Sequence, residues 1–259
     1  MKVSFIGSGN LSWHLGPALD NAGYIVKEVY SPNPKHAGAL TERLYQAEVK
    51  ATLDFSTSHS EIFIIAVTDD AIESVATEII LPEEAVLLHT SGSASLDLIQ
   101  CAATPHIGVF YPLQTFIKHK RIDFRAVPVF VESRTPDAEK KILAMAKAVS
   151  NQVKKITSEE RKALFVASVF ASNFANHMLT MSKEILQKNS LGFDLLKPLI
   201  QEMVLKSLSA GPETAQSGPA MQGDLKTLDE HIEFLKDDEA LAEMYRLINQ
   251  HILDRYHAD

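Results

Sequence analysis

The feature that most constrains this chain is its first turn. An apolar run, Lys2–Ile6, ends in Gly7-Ser8-Gly9-Asn10-Leu11-Ser12, and Leu11–Ala22 then follows a helical pattern closed by Gly23. Strand, glycine turn and helix together form the context in which a G-x-G-x-x-G fingerprint carries chemistry. The first glycine permits the tight turn, and the second lets a pyrophosphate approach the backbone. The helix opening near Asn10 offers free amides and the positive end of its dipole to phosphates. Gly7, Ser8, Gly9, Asn10 and Leu11 are therefore expected to bind a dinucleotide. Ser12 replaces the third glycine, where a small residue still permits close helix–strand packing. A bare glycine turn also suits other doubly wound folds, such as a methyltransferase, but its place at the head of a βαβ pattern favours the dinucleotide.

The first half of the chain continues that pattern. Strands are expected at Tyr24–Tyr30, Ile62–Val67, Ala85–His89, Ile107–Phe110 and Val127–Val131, with helices at Ala37–Gln46, Ala71–Ile79 and Ser95–Gln100. Strands separated by helices imply right-handed crossovers and a mostly parallel sheet. Beyond Glu132 the pattern turns helical, at Pro136–Val149, Ser158–Lys188, Thr227–Leu235 and Glu239–Tyr256, with a Gly-, Pro- and Ser-rich loop at Gly211–Asp224. The expected architecture is α/β: a doubly wound Rossmann domain over 1–133 and an all-α domain over 134–259. With 259 residues, 46% of them hydrophobic, the chain can bury a substantial core. A net charge of −8 without a long basic run disfavours nucleic acid. A single cysteine, Cys101, excludes an internal disulfide and a cysteine-rich zinc site and fits a reducing compartment. No metal site is expected. There is no signal-peptide pattern and no apolar run long enough to span a membrane, so a cytoplasmic protein is expected.

Cofactor choice is read where the second strand ends, at Tyr30-Ser31-Pro32-Asn33-Pro34-Lys35-His36. An NAD-selective site usually places a carboxylate there for the ribose 2′-hydroxyl. None is present, which favours NADP(H) over NAD(H). Ser31 and Asn33 are candidate hydrogen-bond donors, and Lys35 and His36 can bring charge to a 2′-phosphate. Ligands of such sheets lie beyond the carboxyl ends of the strands, which adds Val67, Thr68 and Ser91 to the cofactor site. Asp70 is read as a helix cap, and Asp224 has the same reading further on. On the substrate side, His89, Lys118 and His177 are candidate proton donors. Asn173 lies one turn from His177 on the same helix face. Tyr111, Gln114 and the Gln216–Asp224 loop fall near the same edge. In the polar stripe of the same helix, Ser168 and Ser172 read as close helix packing in a dimer.

Taken together, Gly7–Ser12 with Trp13-His14-Leu15, Thr68–Ile72, His89–Ser93, Val109–Phe116, Ala171–His177, Phe193–Pro198 and Gln216–Asp224 carry a family likeness. Over nearly its whole length the chain resembles bacterial proteins that join a Rossmann-like domain to a helical domain of unknown function. Some of these are named NADP oxidoreductases, by analogy with deazaflavin-dependent NADP reductase and pyrroline-5-carboxylate reductase. The resemblance implies a fold and a nicotinamide cofactor, but no particular substrate. In that family an arginine often follows the serine that ends the second strand; here the position is Pro32, so Lys35 is expected to serve the 2′-phosphate.

These readings converge on hydride transfer between a nicotinamide and a small carbonyl, imine or alcohol, in a homodimer built on the C-terminal helices. A redox sensor without turnover, or a transferase binding another adenosine cofactor, are the alternatives.

Overall fold

The structure, a computed structural model, describes residues 1–257. It divides into two compact units, Met1–Val169 and Phe170–Asp259. The first unit holds an eight-stranded sheet of β1 (Lys2–Ile6), β2 (Ile25–Tyr30), β3 (Glu48–Lys50), β4 (Ile62–Ile65), β5 (Val86–His89), β6 (Ile107–Pro112), β7 (Val129–Ser133) and β8 (Val153–Lys155). Their order is β3-β2-β1-β4-β5-β6-β7-β8. The first six strands are parallel, and β7 turns antiparallel to β6. The helices of this unit are α1 (Asn10–Asn21), α2 (Pro34–Thr41), α3 (Ile72–Glu78), α4 (Pro136–Val149) and α5 (Ser158–Ser168).

Burial explains why β4 reads as an unbroken apolar run. All four residues of Ile62–Ile65 are buried, as a strand covered on both faces requires. Alternate side chains enter two separate cores. Phe5, Ile62 and Ile64 pack with Leu15 and Leu19 of α1 and Ile142 of α4. Ile6, Phe63 and Ile65 pack with Ile72 and Ala76 of α3. Because the chain leaves β1 toward β2 on one side and β4 toward β5 on the other, the strand order reverses between β1 and β4. That is the switch point at which such sheets form a ligand crevice.

Four features differ from the expected pattern. Helix α2 begins at Pro34 rather than Ala37, because the Asn33 side chain caps the Lys35 amide and Pro34 occupies the first helical turn. Short β3 and β8 are edge strands, stabilised by pairing with β2 and β7. β8 and α4 extend the sheet-bearing unit well past residue 133: α4 packs on β6 and β7, and contacts divide the chain only after Val169. Asp70 does not cap: α3 has no side-chain cap, and the preceding turn opens at Thr68.

Among the described residues, the regular secondary structure of the second unit is all helical. Helical backbone runs from Ser158 through Lys188 as expected, but Val169–Phe174 is a π-helical turn between α5 and α6 (Ala175–Lys188). Then follow α7 (Lys197–Ala210), the short α8 (Pro212–Ala215) and α9 (Pro219–Gln222), α10 (Leu225–Phe234) and α11 (Glu239–Tyr256). Helix α7 was not expected. The Asp224 side chain caps α10 through the Thr227 amide, as its reading required.

Candidate active site

The Gly7 turn is fixed by packing. Its φ is +112°, and a Cβ placed there would stand 2.2 Å from the Ala66 carbonyl oxygen. Only glycine fits where β1 and β4 converge. At the third-glycine position, buried Ser12 donates from its Oγ to the Gly7 carbonyl at 2.8 Å, so the hydroxyl is satisfied within the turn. Gly9 differs from Gly7. A Cβ there would meet nothing nearer than the Ala66 carbonyl oxygen at 4.0 Å. The space over Gly9 is open, and no side chain caps the first turn of α1.

That space belongs to a cavity of about 650 Å³ at the switch point. Gly7, Ser8, Gly9, Asn10 and Leu11 form its floor; Ser31, Pro32 and His36 one end; Val67, Thr68 and Thr90 the other strand ends; and Lys118 its rim. The uncapped α1 terminus and the bare backbone at Gly9 suit a pyrophosphate. The residues present therefore fit a dinucleotide.

Several expected residues lie elsewhere. Asn33 spends its side-chain oxygen on the Lys35 amide, and Lys35 is exposed; neither lines the cavity, whereas His36 does. Ser91 is buried. Its Oγ donates to Asp69 at 2.8 Å and accepts from the Ala94 amide at 2.9 Å, so Thr90 rather than Ser91 faces the cavity. His89 is fully buried, and its Nδ1 accepts from the Ser91 amide at 3.2 Å. Its Nε2 has no hydrogen-bond partner. Burial, followed by the nearby Arg161 cation, lowers its pKa to about 4. His89 is thus a neutral structural imidazole, which corrects its expected place among the proton donors. Lys118 is half-buried, its ammonium 5.0 Å from the centre of the Trp13 ring. In the second unit, Asn173 lies in the π-helical turn and His177 in the first turn of α6, and both are exposed on that unit.

Arg161 escaped sequence reading. It is only 2% exposed, pairs with Glu132 at 3.0 Å and donates to the carbonyls of Ser91, Gly92 and Ala94. It fixes the loop after β5, where Gly92 is so enclosed that a Cβ would lie 2.6 Å from both Tyr111 and Phe165. Tyr111 is buried, which raises the pKa of its hydroxyl and keeps it protonated. Nothing in the local pattern of a charged residue near a helix start announces such a role.

The sequence matches the family NADP oxidoreductase coenzyme F420-dependent over residues 2–91 and the domain of unknown function DUF2520 over residues 127–252. The second match begins near the boundary expected at residue 133, upstream of the division between compact units. No curated protein matches the chain. Among solved structures, the putative NADP oxidoreductase BF3122 from Bacteroides fragilis is 35% identical, with 98% of each chain covered and a TM-score of 0.86. Protein TM1727 from Thermotoga maritima is 22% identical, again with 98% of each chain covered, at a TM-score of 0.74. An imine reductase from Myxococcus stipitatus, in complex with NADP+, is 15% identical over 99% of each chain at a TM-score of 0.67, a likeness of fold. Full-length coverage at that first identity, together with the two family matches, places this chain in the family of BF3122 from Bacteroides fragilis, in which a domain of the NADP oxidoreductase coenzyme F420-dependent family is joined to DUF2520.

Proposed function

We propose that the protein is an oxidoreductase that uses NADP(H) in preference to NAD(H) and reduces a small C=N or C=O substrate. The observation that carries this reading is the cavity built on Gly7–Leu11, lined after β2 by Ser31, Pro32 and His36, with Glu78 of α3 the one carboxylate among its lining residues. A nicotinamide, when bound, supplies the hydride. The protein holds the pyrophosphate at the α1 terminus, orients the ring beyond Val67 and Thr90, and delivers a proton to the reduced atom. The relatives of similar fold that are named imine reductases make imines the first substrates to test.

His177, Asn173 and Lys118 are the proposed substrate-side residues, with Tyr111 as a buried donor beside Gly92. Residues 134–259 are proposed to supply the substrate and dimerisation functions. Support for a homodimer comes from α7 and its neighbours: Leu195, Leu199, Leu205 and Leu208 are each more than 60% exposed on the chain alone. A single helical unit leaves such a surface bare only at a large cost, which a second copy removes. Among the described residues no helix is long and apolar enough to cross a membrane.

Steady-state oxidation of NADPH with a panel of small imines and ketones tests the reading. The expected result is turnover with at least one imine. His177→Ala is expected to lower kcat by roughly a hundredfold, the usual scale of general acid catalysis, while NADPH affinity stays unchanged. NADPH binding without turnover on any substrate class would leave only a binding protein.

A further inference from the structure

A second cavity, of about 910 Å³, lies beside α1 and shares only Lys118 with the dinucleotide cavity. It is lined by Arg43, Lys118, Lys120, Arg121 and Arg125, with Asp123 as its single carboxylate. Asp123 already accepts from the Arg125 amide at 3.0 Å. None of those cations forms an ion pair among the described residues. Uncompensated cations gathered in one concavity are unexpected in a chain of net charge −8. Self-repulsion of like charges costs stability, and an anionic ligand relieves it.

The frame that presents these cations is fixed. His14 hydrogen-bonds to the Ile117 carbonyl at 2.9 Å, and the Phe116 ring packs between His14 and Phe124. The Asn151 amide donates to the Arg125 carbonyl at 3.0 Å. The Arg43 guanidinium stacks 4.1 Å from the Trp13 ring centre and donates to the Trp13 carbonyl at 2.7 Å. The Lys118 ammonium lies 5.0 Å from the same ring centre, so one indole gathers two of the cations that line the cavity.

We propose that this cavity is a second ligand site, for a small molecule carrying several phosphate or carboxylate charges, distinct from the dinucleotide site. Because Lys118 lines both cavities, an anion here competes for that ammonium and repels the pyrophosphate. Occupancy is therefore expected to weaken NADP(H) binding, and NADP(H) to weaken anion binding by the same factor. This coupling rests on the dinucleotide reading; the anion site itself does not.

The test is calorimetric titration of the full chain with inorganic tripolyphosphate, and separately with citrate. The expected result is one saturable site per chain for at least one of them, the stronger telling phosphate from carboxylate recognition. R121Q/R125Q alters two exposed side chains and is expected to weaken that binding at least tenfold, with NADPH affinity within twofold of the parent. G9D separates the two sites: it should abolish NADPH binding and spare the anion. The proposal is overturned by absence of saturable anion binding, or by anion binding that survives R121Q/R125Q and disappears in G9D. Loss of NADPH binding in the unaltered protein would instead defeat the dinucleotide reading alone.

Discussion

Ser12 and Gly7 are joined by a hydrogen bond of 2.8 Å that closes the glycine turn from within. The serine does two things that a third glycine would not: it satisfies a buried carbonyl and it locks the start of α1 to β1. Ser12→Ala should therefore lower stability by about 1–2 kcal/mol, the cost of leaving a buried acceptor unpaired. Gly9→Asp should act differently, since space over Gly9 is open to the cavity. It should leave the melting temperature near the parent value and abolish NADPH binding through bulk and negative charge at the pyrophosphate. Thermal unfolding and fluorescence titration of both variants check the pair. NADPH affinity unchanged in folded G9D would remove the dinucleotide from this turn.

Cofactor selectivity should depend on His36 rather than Lys35, because only His36 lines the cavity. His36→Ala is expected to weaken NADPH binding roughly tenfold, about 1.4 kcal/mol, while NADH affinity barely moves. Lys35→Ala should affect neither. The reverse outcome would restore the role that the sequence suggests for Lys35.

His89 makes stability depend on pH with a definite sign. Its pKa falls from 6.5 in the unfolded chain to about 4 in the folded one, so between those values the unfolded state binds more protons. Stability is complete above pH 6.5 and is lost as pH falls toward 4, by an amount on the order of 3 kcal/mol. Chemical denaturation between pH 4.5 and 7.5 should show this slope, and His89→Gln should flatten it. An equal slope in the variant would assign the effect to other groups.

The exposed leucines of α7 should mediate self-association. Light scattering is expected to report a dimer at micromolar concentration, and Leu205→Glu with Leu208→Glu should convert it to monomer without loss of helix signal. A monomeric parent protein would overturn this expectation.

What the sequence determined by itself was set by local rules. A turn that needs Gly7, an apolar strand that must be covered on both faces, and the cap at Asp224 each constrain a few neighbouring residues. Those constraints led to the doubly wound fold and the floor of the cofactor cavity. The tertiary structure decided the rest, where partners come from distant parts of the chain. His89 ends β5 and Ser91 follows it, as ligand-facing residues do, but burial withdrew His89, and bonds to Asp69 and Ala94 withdrew Ser91. Edge strand β8 is too short to show a pattern and exists because β7 offers it a partner. Arg161 looks like a solvated charge in a first helical turn, and only the fold sets it against Glu132 and three carbonyls of a loop some seventy residues earlier. A buried cation is stable only with such partners, and no spacing within one helix can specify them.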